Sequence, residues 1–121
     1  MKKNYGRILT VQDISCIGQC SLTVALPVIS ACGHETIILP SAILSSHTYR
    51  FKGWTFRDLT DDIPAILDHW KSEGIKFDAC YTGYLGSKRQ IDIINGIFAD
   101  MLVAGGLKIV DPAMADEGLL Y

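Results

Sequence analysis

The sequence lacks several features that would assign it to a class of protein. It has 121 residues and a formal net charge of −2, with no basic run and no acidic tail. These absences argue against nucleic acid and membrane surfaces as partners. No apolar stretch approaches the ~20 residues that a membrane-spanning helix needs. The apolar run from Ile8 to Val11 is too short for the core of a signal peptide, so we expect a cytoplasmic protein.

Metal and nucleotide motifs are missing as well. The four cysteines form no C-x-x-C pair and the three histidines are scattered, so no zinc site is indicated. Cys32 and Cys80 lie in apolar runs, which predicts buried thiols. Cys16 and Cys20 fall in a predicted loop, and the sequence leaves their role open. Neither G-x-G-x-x-G nor G-x-x-x-x-G-K-[ST] occurs, so no phosphate-binding loop is predicted within these residues.

What is present is an alternating pattern of strands and helices. Hydrophobic residues make up 49% and charged residues 20%, which is typical of one soluble domain over residues 1–121. We predict strands at 7–12, 35–40, 77–81 and 108–110 and helices at 21–31, at 60–73 and from Ser87 to the Gly105-Gly106 pair. The order β-α-β-α-β-α-β predicts an α/β fold with a mainly parallel sheet covered on both faces.

Ser87 and Gln90 have the spacing of a capping box at the start of the third helix. The last predicted strand has no helix after it. We therefore expect this strand to be exposed or covered by something else.

Candidate site residues follow the predicted strands, where open α/β sheets bind ligands. Asp13 comes after the first strand and either accepts hydrogen bonds from a ligand or caps a turn. Gly18 would let the backbone approach a ligand. His47 and Thr48 lie in the long loop 41–54, and such loops are often functional, although a structural role for the imidazole stays open. Tyr84 either offers a flat face to an aromatic ligand or closes the end of the sheet.

Asp111 and Asp116 are the most distinctive pair, five residues apart after the last strand. Two carboxylates at a strand end suit Mg²⁺, which prefers oxygen ligands. The alternative is a solvated turn, because Asp-Pro commonly starts one.

Taken in order, these motifs resemble the vitamin B6 kinases of the ribokinase superfamily, which act on pyridoxal, pyridoxine and pyridoxamine. The resemblance rests on a set that spans nearly the whole chain: Ile8 to Gln12, Gly18, Ser46-His47-Thr48, Thr82-Gly83-Tyr84, Asp111 to Asp116 and Gly118 to Tyr121. It implies a ribokinase-like (Rossmann-like) three-layer sandwich, truncated here after about four strands.

The implied activity is transfer of the γ-phosphate of ATP, with Mg²⁺, to the 5′-hydroxymethyl group of a B6 vitamer, which supplies pyridoxal 5′-phosphate. The implied partners are the vitamer, ATP and a second subunit. The resemblance also implies roles for individual residues. Asp13 would contact the pyridine ring, Cys20 would form a wall of its pocket, His47 and Thr48 would lie near the ring substituents, Tyr84 would pack on the vitamer, and Asp111 and Asp116 would lie near the metal and the ATP phosphates.

Three departures from the family leave alternatives open. Position 13 is often Ser in pyridoxal kinases and Asp in hydroxymethylpyrimidine kinases, so the second activity is the alternative. Ala115 replaces the usual Gly of its turn. The family chain is more than twice as long, and its later half carries most of the ATP pocket, a glycine-rich anion hole and the catalytic base. We therefore expect an amino-terminal half that is inactive alone, or a fragment that serves as a binding or dimerisation module.

Overall fold

The computed structural model describes residues 3–116 and 118–120. Within them the chain forms β1 (Arg7–Ser15), α1 (Leu22–Ala31), β2 (Glu35–Leu44), β3 (Phe56–Asp58), α2 (Ile63–Ser72), β4 (Phe77–Thr82), α3 (Lys88–Asp100), β5 (Leu102–Val110), β6 (Ala115–Asp116) and β7 (Leu119–Leu120). Five strands make one sheet in the order β3-β2-β1-β4-β5, and β6 pairs with β7 in a small hairpin. No helix among the described residues is long and apolar enough to cross a membrane.

Strands β2, β1, β4 and β5 are parallel, which confirms the prediction of a mainly parallel α/β sheet. The chain moves from β1 to β2 on one side, then returns across β1 to β4 and β5. Because crossovers between parallel strands are right-handed, this reversal puts α1 on one face of the sheet and α2 with α3 on the other. The result is the predicted three-layer sandwich.

The core lies between the sheet and the layer of α2 and α3. Because side chains alternate along a strand, Leu9 and Val11 of β1 point to the same face. Both are at most 1% exposed and join one buried cluster with residues of β2, α2, β4 and α3. The cluster also contains Leu39, Ile63, Leu67, Phe77, Cys80, Ile94, Ile97 and Met101. This packing holds the central strands rigid, so their carboxyl ends form a fixed platform.

Two strands differ from the prediction. β1 continues through Asp13 to Ser15, and β2 continues past Pro40 to Leu44, with a register shift between Gln12 and Ile14. Proline has no N–H to donate to a sheet, which is why the sequence pattern ends there. The structure resumes pairing beyond the shift, and β2 also gains an antiparallel partner, β3, which the sequence analysis missed. Asp13 therefore sits within a strand and not after it.

The third helix also ends earlier than predicted. It stops at Asp100, and β5 begins at Leu102, whereas we predicted a helix as far as the Gly105-Gly106 pair. The two glycines fall in an irregular part of β5, where Gly105 has a φ of +76° and pairing with β4 resumes at Leu107. Glycine tolerates this backbone without steric cost, so the pair marks an irregular strand and not a helix end.

The outer edge of the sheet is apolar. On β5 the side chains of Leu107, Ile109 and Val110 are 64%, 47% and 58% exposed. β5 has β4 as its neighbour and is the last strand of the described sheet. The expectation of an exposed final strand therefore holds for the described residues.

Candidate functional site

A cavity of about 780 Å³ lies at the carboxyl ends of the parallel strands. The strand order reverses between β1 and β4, and open α/β sheets bind ligands at such a switch point. The volume is in the range of small-molecule sites. Six of the seven predicted site residues line this cavity: Asp13, Cys20, His47, Thr48, Tyr84 and Asp111. The seventh, Asp116, has its side chain outside the described residues.

Asp13 supplies a buried carboxylate to the cavity. It is 7% exposed, and each of its oxygens accepts one hydroxyl hydrogen bond. Ser21 Oγ donates to Oδ1 at 2.7 Å, and Ser15 Oγ donates to Oδ2 at 3.3 Å. Because a carboxylate oxygen has two acceptor positions, both oxygens retain capacity for a ligand donor. Ser21 is the N-cap of α1, so the carboxylate lies near the positive end of the helix dipole.

The turn before α1 is strained at this point. Ser21 has φ 51° and ψ −128°, a conformation that costs a residue other than glycine roughly 1–3 kcal/mol. Its hydrogen bond to Asp13 helps to hold it there. Thr23 braces the same turn, since its Oγ1 accepts from Cys20 N at 3.2 Å and lies 2.8 Å from Cys20 O. Cys20 is thereby fixed in the wall of the cavity.

His47 is held by the loop that follows β1. Its amide donates to Ile17 O at 2.9 Å, and its imidazole makes an edge contact with Phe51, with ring centroids 5.0 Å apart. The ring also lies directly over Gly18, where an added Cβ would be 2.9 Å from Cγ of the imidazole and closer still to Cδ2. The space that we expected Gly18 to leave for a ligand is therefore filled by His47, which joins the two loops into one wall.

Gln12 is a lining residue that the sequence analysis missed. It is 6% exposed, and its Nε2 donates to Thr10 Oγ1 at 3.0 Å. Gly83, next to Tyr84, accommodates it, since an added Cβ there would lie 2.6 Å from Gln12 Oε1. The sequence feature that could have identified Gln12 as a lining residue is its position, as a polar residue at the carboxyl end of an otherwise apolar strand. Trp54 and Phe56 also line the cavity and come from the connection around the missed strand β3.

Asp111 has the structural role of the two that the sequence left open. Its amide donates to Thr82 O at 3.0 Å, and its Oδ1 accepts from Ala113 N at 3.0 Å, so the carboxylate shapes a turn. It is nevertheless exposed at the cavity, and carboxylate oxygens are suitable ligands for Mg²⁺. Among the described residues no group of three or more His, Cys, Asp or Glu side chains could enclose a metal. One carboxylate fits a magnesium ion that is held mainly by waters and phosphates.

Two of the cysteines test the prediction of buried thiols. Cys80 is fully buried, and burial raises the pKa of its thiol to about 12. It is therefore protonated at neutral pH and belongs to the core. The prediction is wrong for Cys32, which is exposed, because α1 ends at Ala31 and Cys32 is its C-cap.

The chain is similar to solved structures of kinases. No family model and no curated protein matches the chain. Among solved structures, a putative phosphomethylpyrimidine kinase from Bacteroides thetaiotaomicron, in a crystal form with pyridoxal, is 43% identical with a TM-score of 0.91. The match covers 98% of this chain and 41% of that protein. Pyridoxal kinase from Lactobacillus plantarum is 32% identical with a TM-score of 0.88, over 96% of this chain and 41% of the kinase.

A more distant structure shows the same fold. Pyridoxal kinase from Leishmania donovani, in complex with ADP and pyridoxine, is 16% identical with a TM-score of 0.87, over 95% of this chain and 43% of that protein. The fold is thus the ribokinase-like one, a fold of phosphotransferases. The resemblance to its pyridoxal and phosphomethylpyrimidine kinases is confirmed, and the chain spans about two-fifths of their length.

The contact between Gly18 and His47 predicts the effect of Gly18→Ala. The added methyl group must displace the imidazole, and the φ of +104° is itself unfavourable for alanine. We expect a loss of more than about 1 kcal/mol in the free energy of unfolding, measured in urea, together with a shift of the His47 ring resonances.

Gly33→Ala is the matched control for this experiment. Gly33 has a φ of +86°, and nothing lies within 4 Å of an added Cβ. Its substitution carries the backbone cost alone and should leave the His47 resonances in place. Equal losses of stability and unchanged His47 signals in both variants would contradict the contact.

Proposed function

We propose that the polypeptide carrying this chain transfers the γ-phosphoryl group of ATP to the 5′-hydroxymethyl group of a B6 vitamer: pyridoxal, pyridoxine or pyridoxamine. The observation that carries the proposal is the cavity at the switch point between β1 and β4, which gathers Asp13, Tyr84 and Asp111 from three strand ends. A relative with 43% identity was crystallised with pyridoxal, and another with 32% identity is a pyridoxal kinase.

In this proposal the chain binds and orients the vitamer. Asp13 accepts a hydrogen bond from a donor on the ring, because its two oxygens each keep one acceptor position. Tyr84 packs its ring against the pyridine, as offset aromatic pairs do. Cys20, His47 and Thr48 enclose the ring substituents.

The phosphate side of the cavity would be at Asp111. Its carboxylate, with that of Asp116, would hold Mg²⁺ next to the transferred phosphate. ATP supplies the phosphoryl group, and Mg²⁺ neutralises the developing charge. We assign most of the ATP pocket, the anion hole and the general base to none of these residues. Without those parts, the 121 residues alone should bind the vitamer weakly at best and should not turn over.

A second candidate is a hydroxymethylpyrimidine kinase. A buried carboxylate at position 13 favours a ligand that presents N–H donors, such as an aminopyrimidine. The relative of 43% identity is itself described as a putative phosphomethylpyrimidine kinase. Both candidates share the reaction and differ in the ring.

The first experiment is a comparison of pyridoxal, pyridoxamine and hydroxymethylpyrimidine as substrates of the natural polypeptide that carries this chain. We expect ATP-dependent phosphorylation with the highest kcat/KM for a B6 vitamer. Asp13→Ser should lower kcat/KM for hydroxymethylpyrimidine more than for pyridoxal, because serine has a single hydroxyl in place of two anionic acceptors. A preference for the pyrimidine would support the second candidate, and no phosphorylation of any of the three would reject both.

Tyr84→Ala tests the stacking role. We expect vitamer binding to weaken by about 1–3 kcal/mol, from the lost aromatic contact and lost burial, measured by isothermal titration. Tyr5→Ala is the matched control, since Tyr5 is 44% exposed and is not among the residues that line the cavity. An affinity unchanged by Tyr84→Ala would remove Tyr84 from the site.

We also propose that the protein is a cytoplasmic homodimer. What supports a dimer is the resemblance to the vitamin B6 kinases, which implies a second subunit. The natural polypeptide should elute from a size-exclusion column at twice its monomer mass. A monomer that keeps full activity would contradict this proposal and leave the kinase proposal intact.

A further inference from the structure

Gln90 is a buried polar residue to which the proposed function assigns no role. It lies in the first turn of α3, is 2% exposed and is not among the described residues that line the cavity. Its side-chain amide makes three hydrogen bonds. Nε2 donates to Ser41 O at 3.1 Å and to Thr60 Oγ1 at 2.8 Å, and Oε1 accepts from Gly86 N at 2.7 Å. One side chain thus joins the end of β2, the turn before α2 and the loop after β4.

These contacts differ from the capping box that the sequence predicts. Ser87 is the N-cap of α3, and its hydroxyl accepts from Gln90 N at 3.3 Å, which is one half of the motif. In the other half, the side chain at the fourth position would accept from the N-cap amide. Here Oε1 bonds to Gly86 N, one residue earlier, and both N–H groups point outward to Ser41 and Thr60. A glutamate would lack those two donors.

The contacts of Gln90 lead to Tyr84 by two routes. Gly86, whose amide Gln90 binds, lies two residues after Tyr84, and an added Cβ on Gly86 would be 3.9 Å from Cε1 of the tyrosine ring. Ser41, whose carbonyl Gln90 binds, donates its own hydroxyl to Tyr84 O at 3.4 Å. Gln90 therefore holds the Gly86 amide directly and, through Ser41, the carbonyl oxygen of Tyr84.

We propose that Gln90 is a positioning residue for the ring-binding wall of the cavity: it fixes the segment 84–86 so that Tyr84 meets the ring of the ligand. This rests on the proposed function, because it assumes that Tyr84 contacts a pyridine or pyrimidine ring. Thr60 anchors the amide from the far side, and its own amide donates to Asp58 Oδ1 at 2.6 Å. It touches neither Gly86 nor Ser41 in this network.

The test compares three variants of the natural polypeptide at a temperature where each is fully folded. Gln90→Met keeps the approximate volume and removes all three hydrogen bonds. Ser41→Ala removes the hydrogen bond to Tyr84 O with little change in packing. It is the replacement test variant if Gln90→Met does not fold. Thr60→Val is the matched control, since it removes a hydrogen bond of the same network that does not lead to Tyr84.

Two readouts separate positioning from stability. The first is hydrogen exchange at the Gly86 amide and the ring resonances of Tyr84, which need no ligand. Gln90→Met should speed the exchange of the Gly86 amide at least tenfold and shift the ring resonances of Tyr84. Ser41→Ala should shift the Tyr84 ring resonances. Thr60→Val should change neither the exchange rate nor the ring resonances. The second is the Kd for pyridoxine, which should rise about tenfold in Gln90→Met, the scale of one lost contact of about 1.4 kcal/mol. It should stay within about twofold in Thr60→Val.

Equal increases in Kd for Gln90→Met and Thr60→Val would overturn the proposal, since the residue would then act through stability alone. An unchanged Gly86 exchange rate and unchanged Tyr84 signals in Gln90→Met would overturn it as well. If the wild type bound no pyridoxine, the proposed function would fail, while the exchange and resonance measurements would still decide whether Gln90 positions Tyr84.

Discussion

The reversal of strand order at β1 is the constraint on which the rest of the structure depends. The chain leaves β1 in one direction and returns across it in the other, and right-handed crossovers then put α1 opposite α2 and α3. Parallel alignment brings the carboxyl ends of β1, β2, β4 and β5 to one edge. The loops at the reversal diverge to opposite faces and leave a crevice between them. The cavity is a consequence of topology before any side chain is considered.

Side chains then turn this crevice into a defined cavity. On one side the loop after β1 and the loop after β2 form one wall, because the imidazole of His47 lies over Gly18 and its amide binds Ile17 O. On the other side Gln90 ties Gly86 and Ser41 together beneath Tyr84. In both walls a polar group forms hydrogen bonds with the backbone of another element. Such buried networks stabilise one arrangement of the loops, because any alternative leaves a donor or acceptor unpaired.

The proposed function would distribute its chemistry over two regions of the cavity. The groups proposed to bind the ring lie between β1, α1 and β4, with Asp13 held by Ser15 and Ser21. The carboxylate suited to phosphate-bound magnesium, Asp111, follows β5 and lies next to the ring side. In the proposed function, binding of the ring and binding of the phosphate would thus fall at different strand ends.

Periodicity along the chain predicted the alternation of strands and helices and the parallel sheet. Position near a predicted strand end or in the long loop predicted five of the residues that line the cavity, and Cys20 came from the resemblance to the vitamin B6 kinases. Strand β3, the continuation of β2 past Pro40 and the early end of α3 needed tertiary pairing, because their hydrogen-bond partners are distant in sequence. Tertiary structure was also needed to place Gln12 in the cavity, to show that the His47 ring covers Gly18, and to show that Gln90 bonds to Ser41 and Thr60. Their roles arise from contacts between separate elements, and a pattern along one segment carries no information about which distant group fills the space beside it.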